Sequence, residues 1–357
     1  MSKIVYLLGA GASRGGRDGN VLKFTTDSLR PGGHFVSSGE CPVILSGVPI
    51  VSEIPSRLEY MIHRMWNIKN VDNDPCDKNI LAKLIDDLEW LQKESARHAT
   101  IDTFAKKLFL TKKDADYERL KKALLAFLFF EQAFNEPDPR YDSFLASILQ
   151  SDVNHLPDEI SVVSWNYDFQ FELAYSSYVL NSNLSMISEV YLHSHDKLSE
   201  GRGGEPLHIH KGFNLLKLNG SSFVSGDNTY ARLKKENSIQ PFLEMYAGLN
   251  KKNNRISFAW EKMFEQYKIR IANCVKDAEV LVIIGYSFPF FNREVDRVLF
   301  EKMHHLKKIY IQDPNAETVK MSLKPVLTDF HMTVNQVGNQ IFTLAHDPKQ
   351  FFLPPEL

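Results

Sequence analysis

The residues of this chain best suited to chemistry sit in four short segments, each following an apolar run. The first is Gly9-Ala10-Gly11-Ala12-Ser13, directly after Ile4-Val5-Tyr6-Leu7-Leu8. Glycines at the end of a buried strand carry no side chain to hold a ligand's phosphates off the backbone, which is how a dinucleotide-binding α/β domain begins. The spacing Gly9-x-Gly11-x-x-x-Gly15 departs by one residue from that of dehydrogenases. Asp27, near the position where a dehydrogenase holds a ribose hydroxyl, follows a glycine-rich stretch instead of a strand. Hydride transfer is therefore disfavoured. A phosphate site at a helix start stays open, beside the plainer reading of a tight strand-to-helix turn.

The second segment, Trp165-Asn166-Tyr167-Asp168, follows the β-branched run Ile160–Ser164. The carboxyl end of such a strand is where α/β sheets place ligand-contacting side chains. The Asn166 carboxamide can hold a water or another carboxamide; Asp168 can accept from an amide or simply cap the next helix. The third segment is Lys217-Leu218-Asn219-Gly220-Ser221, and the fourth is Gly285-Tyr286-Ser287, after Val280–Ile284. Asp313 and Asn315 follow one further run, Ile309-Tyr310-Ile311.

Taken in order, Gly9–Ser13, Asn166-Tyr167-Asp168 with Phe171-Glu172, Lys217–Ser221 and Gly285-Tyr286-Ser287 resemble the sirtuin-like NAD-consuming family. The match is to its bacterial branch of NAD glycohydrolases in antiphage defence, and it covers the first strand and about 160–315. The chain has no paired C-x-x-C motif, so it looks unlike the zinc-bearing deacylases, and no zinc is expected. The resemblance implies that Gly9, Ala10, Gly11, Ala12 and Ser13 cradle the pyrophosphate and adjacent ribose. It places Asn166 beside the nicotinamide ribose and Asp168 at the carboxamide. Gly285 and Ser287 would meet the adenosine half, with Asp313 and Asn315 near the adenine ribose. NAD is then the substrate, and abortive infection by NAD depletion the outcome. Control would come from homo-oligomerisation or an operon-encoded sensor protein.

One position departs from the family. Lys-Leu-His-Gly-Ser is its usual third motif, and here Asn219 replaces the histidine that acts as base on a ribose hydroxyl. General-base assistance is worth about 10²–10⁴ in rate. Nicotinamide, however, leaves a cation as a neutral molecule, so positioning and electrostatics can retain much of the catalysis. His193, His195, His208 and His210 lie just upstream; His210 is the candidate replacement base, although each also reads as an ordinary surface or satisfied histidine. The H-x-H pairs lack a third metal ligand at a convincing spacing. The alternative function is a catalytically inactive module that binds NAD or ADP-ribose as a sensor or scaffold.

The elements that must position these residues follow from periodicity. Short apolar runs alternating with amphipathic helices predict a doubly wound, Rossmann-like, mostly parallel α/β sheet, with a last strand near Met332-Thr333-Val334. Asn292 and Asp313-Pro314 read as helix starts. Leu81, Leu84, Ile85, Leu88 and Leu91 mark an amphipathic helix, and Leu120–Phe134 is apolar nearly all round. Residues 53–150 therefore read as a helical insertion, a candidate docking or self-association surface, between 1–52 and 151–357 of the nucleotide-binding domain. The Gly-, Ser- and Pro-rich stretch 15–52 reads as a long irregular loop and candidate gate, with a short hairpin around Val43–Val51.

Charge is nearly balanced, 42 Lys plus Arg against 44 Asp plus Glu. No field therefore favours nucleic acid or membrane. No apolar run approaches the roughly 20 residues of a spanning helix. The N-terminal run is short and stops at glycine, unlike a signal peptide, so a cytoplasmic protein is expected. Cys41, Cys76 and Cys274 are isolated and argue against a disulfide framework.

Overall fold

The computed structural model describes residues 3–25, 38–70, 76–179, 183–196, 212–224, 228–236, 238–261, 263, 265–328 and 342–357. In chain order the strands are β1 (Ile4–Leu8), β2 (Arg17–Thr25), β3 (Ser38–Ile44), β4 (Ile160–Ser164), β5 (His195–Asp196), β6 (Asn214–Lys217), β7 (Val280–Ile284), β8 (Lys308–Gln312) and β9 (Phe342–Ala345). The chain divides into two compact units. The helices are α1 (Ile54–Asn70), α2 (Lys78–Arg97), α3 (Ile101–Leu110), α4 (Asp114–Phe134), α5 (Pro139–Ile148), α6 (Gln170–Ser176), α7 (Leu184–Met186), α8 (Thr229–Glu236), α9 (Gln240–Gly248), α10 (Glu265–Val275), α11 (Arg293–Lys302) and α12 (Ala316–Thr328).

The sheet unit comprises Met1–Ser13, Asp138–Ser221 and Ser257–Leu357. Its seven strands lie in the order β5-β6-β4-β1-β7-β8-β9, each neighbouring pair parallel. Every residue of β1, β4, β6 and β7 is buried, as a parallel sheet covered on both faces requires. On one face Val5, Leu7, Val163, Leu281, Ile283, Ile309 and Ile311 join a core with Tyr267 and Ile271 of α10, Val295 and Leu299 of α11, and Val319 and Leu323 of α12. On the other, Tyr6 meets Phe144 of α5 edge-on at 4.8 Å, and Phe144 in turn meets Phe171 of α6 and Phe351. The architecture is α/β, Rossmann-like and doubly wound.

The helical unit comprises Arg14–Pro137 and Ser222–Ile256. Leu81, Leu84, Ile85, Leu88 and Leu91 are buried along α2, whose start is capped by the Asp77 carboxylate on the Asn79 and Ile80 amides. α4 is buried along most of its length. The described part of 15–52 is not irregular throughout: β2 and β3 pair antiparallel, from Val21 opposite Pro42 to Thr25 opposite Ser38. The expected hairpin at Val43–Val51 is thus replaced by one displaced toward the N-terminus.

The boundaries also fall elsewhere than at 52 and 150. Arg14–Ser52 groups with the helices, as do Ser222–Ile256, whereas α5 groups with the sheet. Tyr141, Phe144, Leu145 and Ile148 bury the inner side of α5, and their partners are too distant in sequence for periodicity to reveal. The segment Met332–Val334 lies outside the described residues; β9 is the last described strand. Among the described residues no helix is long and apolar enough to cross a membrane.

Candidate functional site

The four motifs meet because the strands that carry them end level. Leu8 pairs with Ser164 and with Ile284, Ser164 pairs with Lys217, and Ile284 with Gln312. Gly9, Asn166, Asn219, Gly285 and Asp313 therefore all emerge at the carboxyl edge of the sheet. From β1 the chain steps outward to β4 and β6, then returns to β7 on the other side of β1. Such a reversal is where doubly wound sheets bind ligands.

Ser13 is the node. Its hydroxyl is fully buried and lies 2.8 Å from the Tyr141 hydroxyl. The Asn166 amide donates to Ser13 Oγ and to the Gly9 carbonyl, both at 2.9 Å. The Ser13 hydroxyl also favours the ionised form of the Asp168 carboxyl, and the Gln170 amide donates to the Ser13 carbonyl at 2.9 Å. Burial raises the Asp168 carboxyl above the usual carboxylate range, with the Lys217 charge and the Ser13 hydroxyl opposing. Burial, then the Asp168 charge, raises the Tyr141 phenol. Arg140, paired with Asp138 at 2.5 Å, donates to the carbonyls of Gly11 at 2.8 Å and Ala12 at 3.2 Å. Sequence singles out none of Tyr141, Gln170 or Arg140; the Asp138-Pro139 helix start is the one local signal near Arg140 and Tyr141.

The glycine loop differs from its expected form. β1 runs into a single 3₁₀ turn, Ala10–Ser13, rather than an α-helix. The amides expected to cradle phosphate are engaged: Gly9 donates to Ile284, Gly11 to Gly285 and Ala12 to Gly9, at 2.9–3.0 Å. Among the described residues only Ala10, exposed at the tip, keeps an amide of Gly9–Ala12 without a partner. The glycines allow close packing. A Cβ on Gly9 would stand 2.5 Å from the Gly285 carbonyl oxygen, and one on Gly11 2.8 Å from the Gly285 Cα.

Asn219 sits at the same edge, 8% exposed. Its amide donates to the Trp165 carbonyl at 3.3 Å, and its backbone carbonyl accepts from Ser257 at 2.8 Å. Its side-chain oxygen is buried without a hydrogen-bond partner, an acceptor that costs free energy until something donates to it. Below it, the Lys217 ammonium holds the Asp168 carbonyl at 2.6 Å and Glu172 at 3.2 Å, with both side chains buried. That ion pair fixes the backbone under Asp168.

His195 is not tied to this cluster. It pairs with Leu216 on β5, at the sheet edge, and burial, Arg270 and His193 lower its imidazole to about 3. It is neutral near pH 7, and no hydrogen bond links its side chain to Asn219 or Asp168 among the described residues. His208 and His210 lie outside the described residues. Asp313 accepts from the Asn315 amide at 2.7 Å in a local turn before α12, while Ser287 and Asn315 are exposed. Among the described residues no group of three His, Cys, Asp or Glu side chains is placed to hold a metal.

A second buried cluster braces the motifs from behind. Asp296 on α11 accepts from Trp165 Nε1 at 3.2 Å and from the Tyr286 hydroxyl at 2.8 Å, and the two rings stack at 5.8 Å. Trp165 precedes Asn166, and Tyr286 lies between Gly285 and Ser287. Asn292, expected as a helix cap, makes no cap bond and donates instead to the Tyr286 hydroxyl at 3.1 Å.

The chain matches no protein-family model and no curated protein. The sirtuin-like resemblance therefore rests on its motifs alone.

Proposed function

We propose that the chain is an NAD glycohydrolase that releases nicotinamide and ADP-ribose, acting in the bacterial cytoplasm as a regulated antiphage effector. The observation that carries this reading is the convergence of Ser13, Asn166, Asp168 and Asn219 at the level carboxyl ends of β1, β4 and β6, beside the reversal in strand order. Asp168 is the group that would face positive charge developing on the ribose as neutral nicotinamide departs, and a fixed buried carboxylate stabilises such charge well. The unpartnered Asn219 oxygen would accept from a ribose hydroxyl or the carboxamide, orienting without taking a proton. Productive binding requires the Asn166 amide to exchange its contacts for ligand. Control by self-association or by an operon-encoded sensor belongs to the same reading and rests on the resemblance.

A second reading, a binding module without turnover, is favoured by Asn219 in place of a base and by the engaged amides of Gly9, Gly11 and Ala12. Incubating the full chain with NAD, alone and with neighbouring operon products, and following nicotinamide release separates them. Turnover is expected, Asn166→Ala should abolish it, and Asn219→His should keep or raise it. Saturable NAD binding with no turnover in any mixture would establish the binding module instead.

A further inference from the structure

The helical unit contains a cavity of about 210 Å³ between the β2–β3 hairpin, α1 and the end of α4. Leu22, Val43 and Ile44 supply one wall, and Tyr60, Phe130 and Phe134 supply aromatic surface. Three charged side chains line it as well: Arg57, Arg64 and Glu131. Their pairing leaves an imbalance.

Glu131, fully buried, is spent on Arg57: the guanidinium Nε and Nη2 reach its carboxylate at 3.0–3.2 Å, and Asn135 donates to it at 3.1 Å. Arg57 Nη1 is occupied by the Pro42 carbonyl at 3.3 Å and Cys41 Sγ at 3.6 Å. Arg64 is different. It is half-buried, its guanidinium stands 5.3 Å over Phe134 and 5.9 Å over Phe130, and no described carboxylate or carbonyl accepts from it. Two guanidinium groups thus face one carboxylate, leaving one positive charge and a set of unused donors against aromatic walls.

We propose that this cavity binds a small anion carrying a single planar ring, of the class of aromatic phosphates and carboxylates. Arg64 takes the anionic group, its flat fork suiting phosphate or carboxylate oxygens, and the ring lies against Phe134 and Tyr60. The volume falls below the roughly 300–1,000 Å³ of sites for larger ligands, so a dinucleotide is excluded, and no lining residue belongs to the four motifs. In size and charge it suits an effector.

Phenyl phosphate, titrated calorimetrically into the full chain, is the probe. Saturable one-to-one binding is expected, with inorganic phosphate and phenol each at least about tenfold weaker, because each supplies half of the recognition. Arg64→Gln should weaken phenyl phosphate at least about tenfold, Arg64→Lys less, and Leu22→Trp should abolish binding by filling the space. Near-ultraviolet circular dichroism checks that each variant is folded; Arg64 is partly exposed and its replacement leaves the Arg57–Glu131 pair intact. The proposal is overturned if no saturation occurs by about 10 mM, the regime of non-specific contact. Equal affinity for inorganic phosphate, or binding unchanged in both Arg64→Gln and Leu22→Trp, also overturns it. NAD takes no part in these measurements, so they stand apart from the proposed glycohydrolase activity.

Discussion

At the scale of single residues, Ser13 has the most consequences, because three polar groups converge on one buried hydroxyl. Asn166, Tyr141 and Asp168 each lose a partner in Ser13→Ala. Stranding a buried polar group costs about 1–3 kcal/mol. Tyr141→Phe removes the stranded phenol and with it part of that cost. Urea unfolding of Ser13→Ala, Tyr141→Phe and the double variant should therefore show the pair less than additive, by at least about 0.5 kcal/mol; strict additivity would mean the two hydroxyls do not work as a unit. Ser13, Asn166, Asp168 and Asn219 were legible in sequence because each follows an apolar run by a few residues. Tyr141 was not, since 128 positions separate it from Ser13 and nothing in its neighbourhood distinguishes it from a core aromatic.

At the scale of elements, the loops after β1 and β7 touch backbone to backbone. Gly285 has φ +59°, and a Cβ there would stand 2.5 Å from the Gly11 Cα and 2.6 Å from the Ala12 nitrogen. Left-handed backbone costs a side chain about 1–2 kcal/mol, and overpacking adds about 1–3 kcal/mol. Gly285→Ala should thus lose about 2–5 kcal/mol in urea unfolding, summing those two costs. Gly16→Ala is the control: its nearest contact is 3.5 Å and its φ is not positive, so its loss should stay below about 1 kcal/mol. Equal losses would show that the close approach does not constrain the fold. The glycines of Gly9-x-Gly11 were visible in sequence, but their reason was not: the pattern is the same whether phosphate or another loop comes close. The strands were readable because β1 and β7 carry near-continuous apolar runs and β4 is largely β-branched. The β2–β3 hairpin was hidden by its glycines, serines and charges, which resemble a loop when neither face is continuously apolar.

At the scale of the whole molecule, buried titratable groups set how stability follows pH. Burial pushes the Asp296 carboxyl up to about 8 from 3.8, against the opposing hydrogen bonds of Tyr286 and Trp165. Between those values the folded chain holds a proton that the unfolded chain has released, so stability falls as pH rises. His195 works the other way: between about 3 and 6.5 the unfolded chain carries the extra proton, and stability rises with pH. The two slopes offset each other from about pH 4 to 6.5. Above that only Asp296 remains of the pair, and stability should drop by up to about 1.4 kcal/mol per pH unit until pH 8. Burial raises Asp168 and Glu172 as well, adding in the same direction wherever they titrate. Urea midpoints of the full chain at pH 5, 6.5 and 8 measure this. Asp296→Asn, which keeps an acceptor for Trp165 and Tyr286 but cannot ionise, should flatten the decline from 6.5 to 8. His195→Gln should instead expose a decline below pH 6.5 that the wild-type chain masks. Stability rising from pH 6.5 to 8, or a decline untouched by Asp296→Asn, would mean that the carboxyl behind Trp165 and Tyr286 is already ionised in the folded chain. The rings flanking Asn166 and Gly285 would then be braced by a charge and not by a neutral acid.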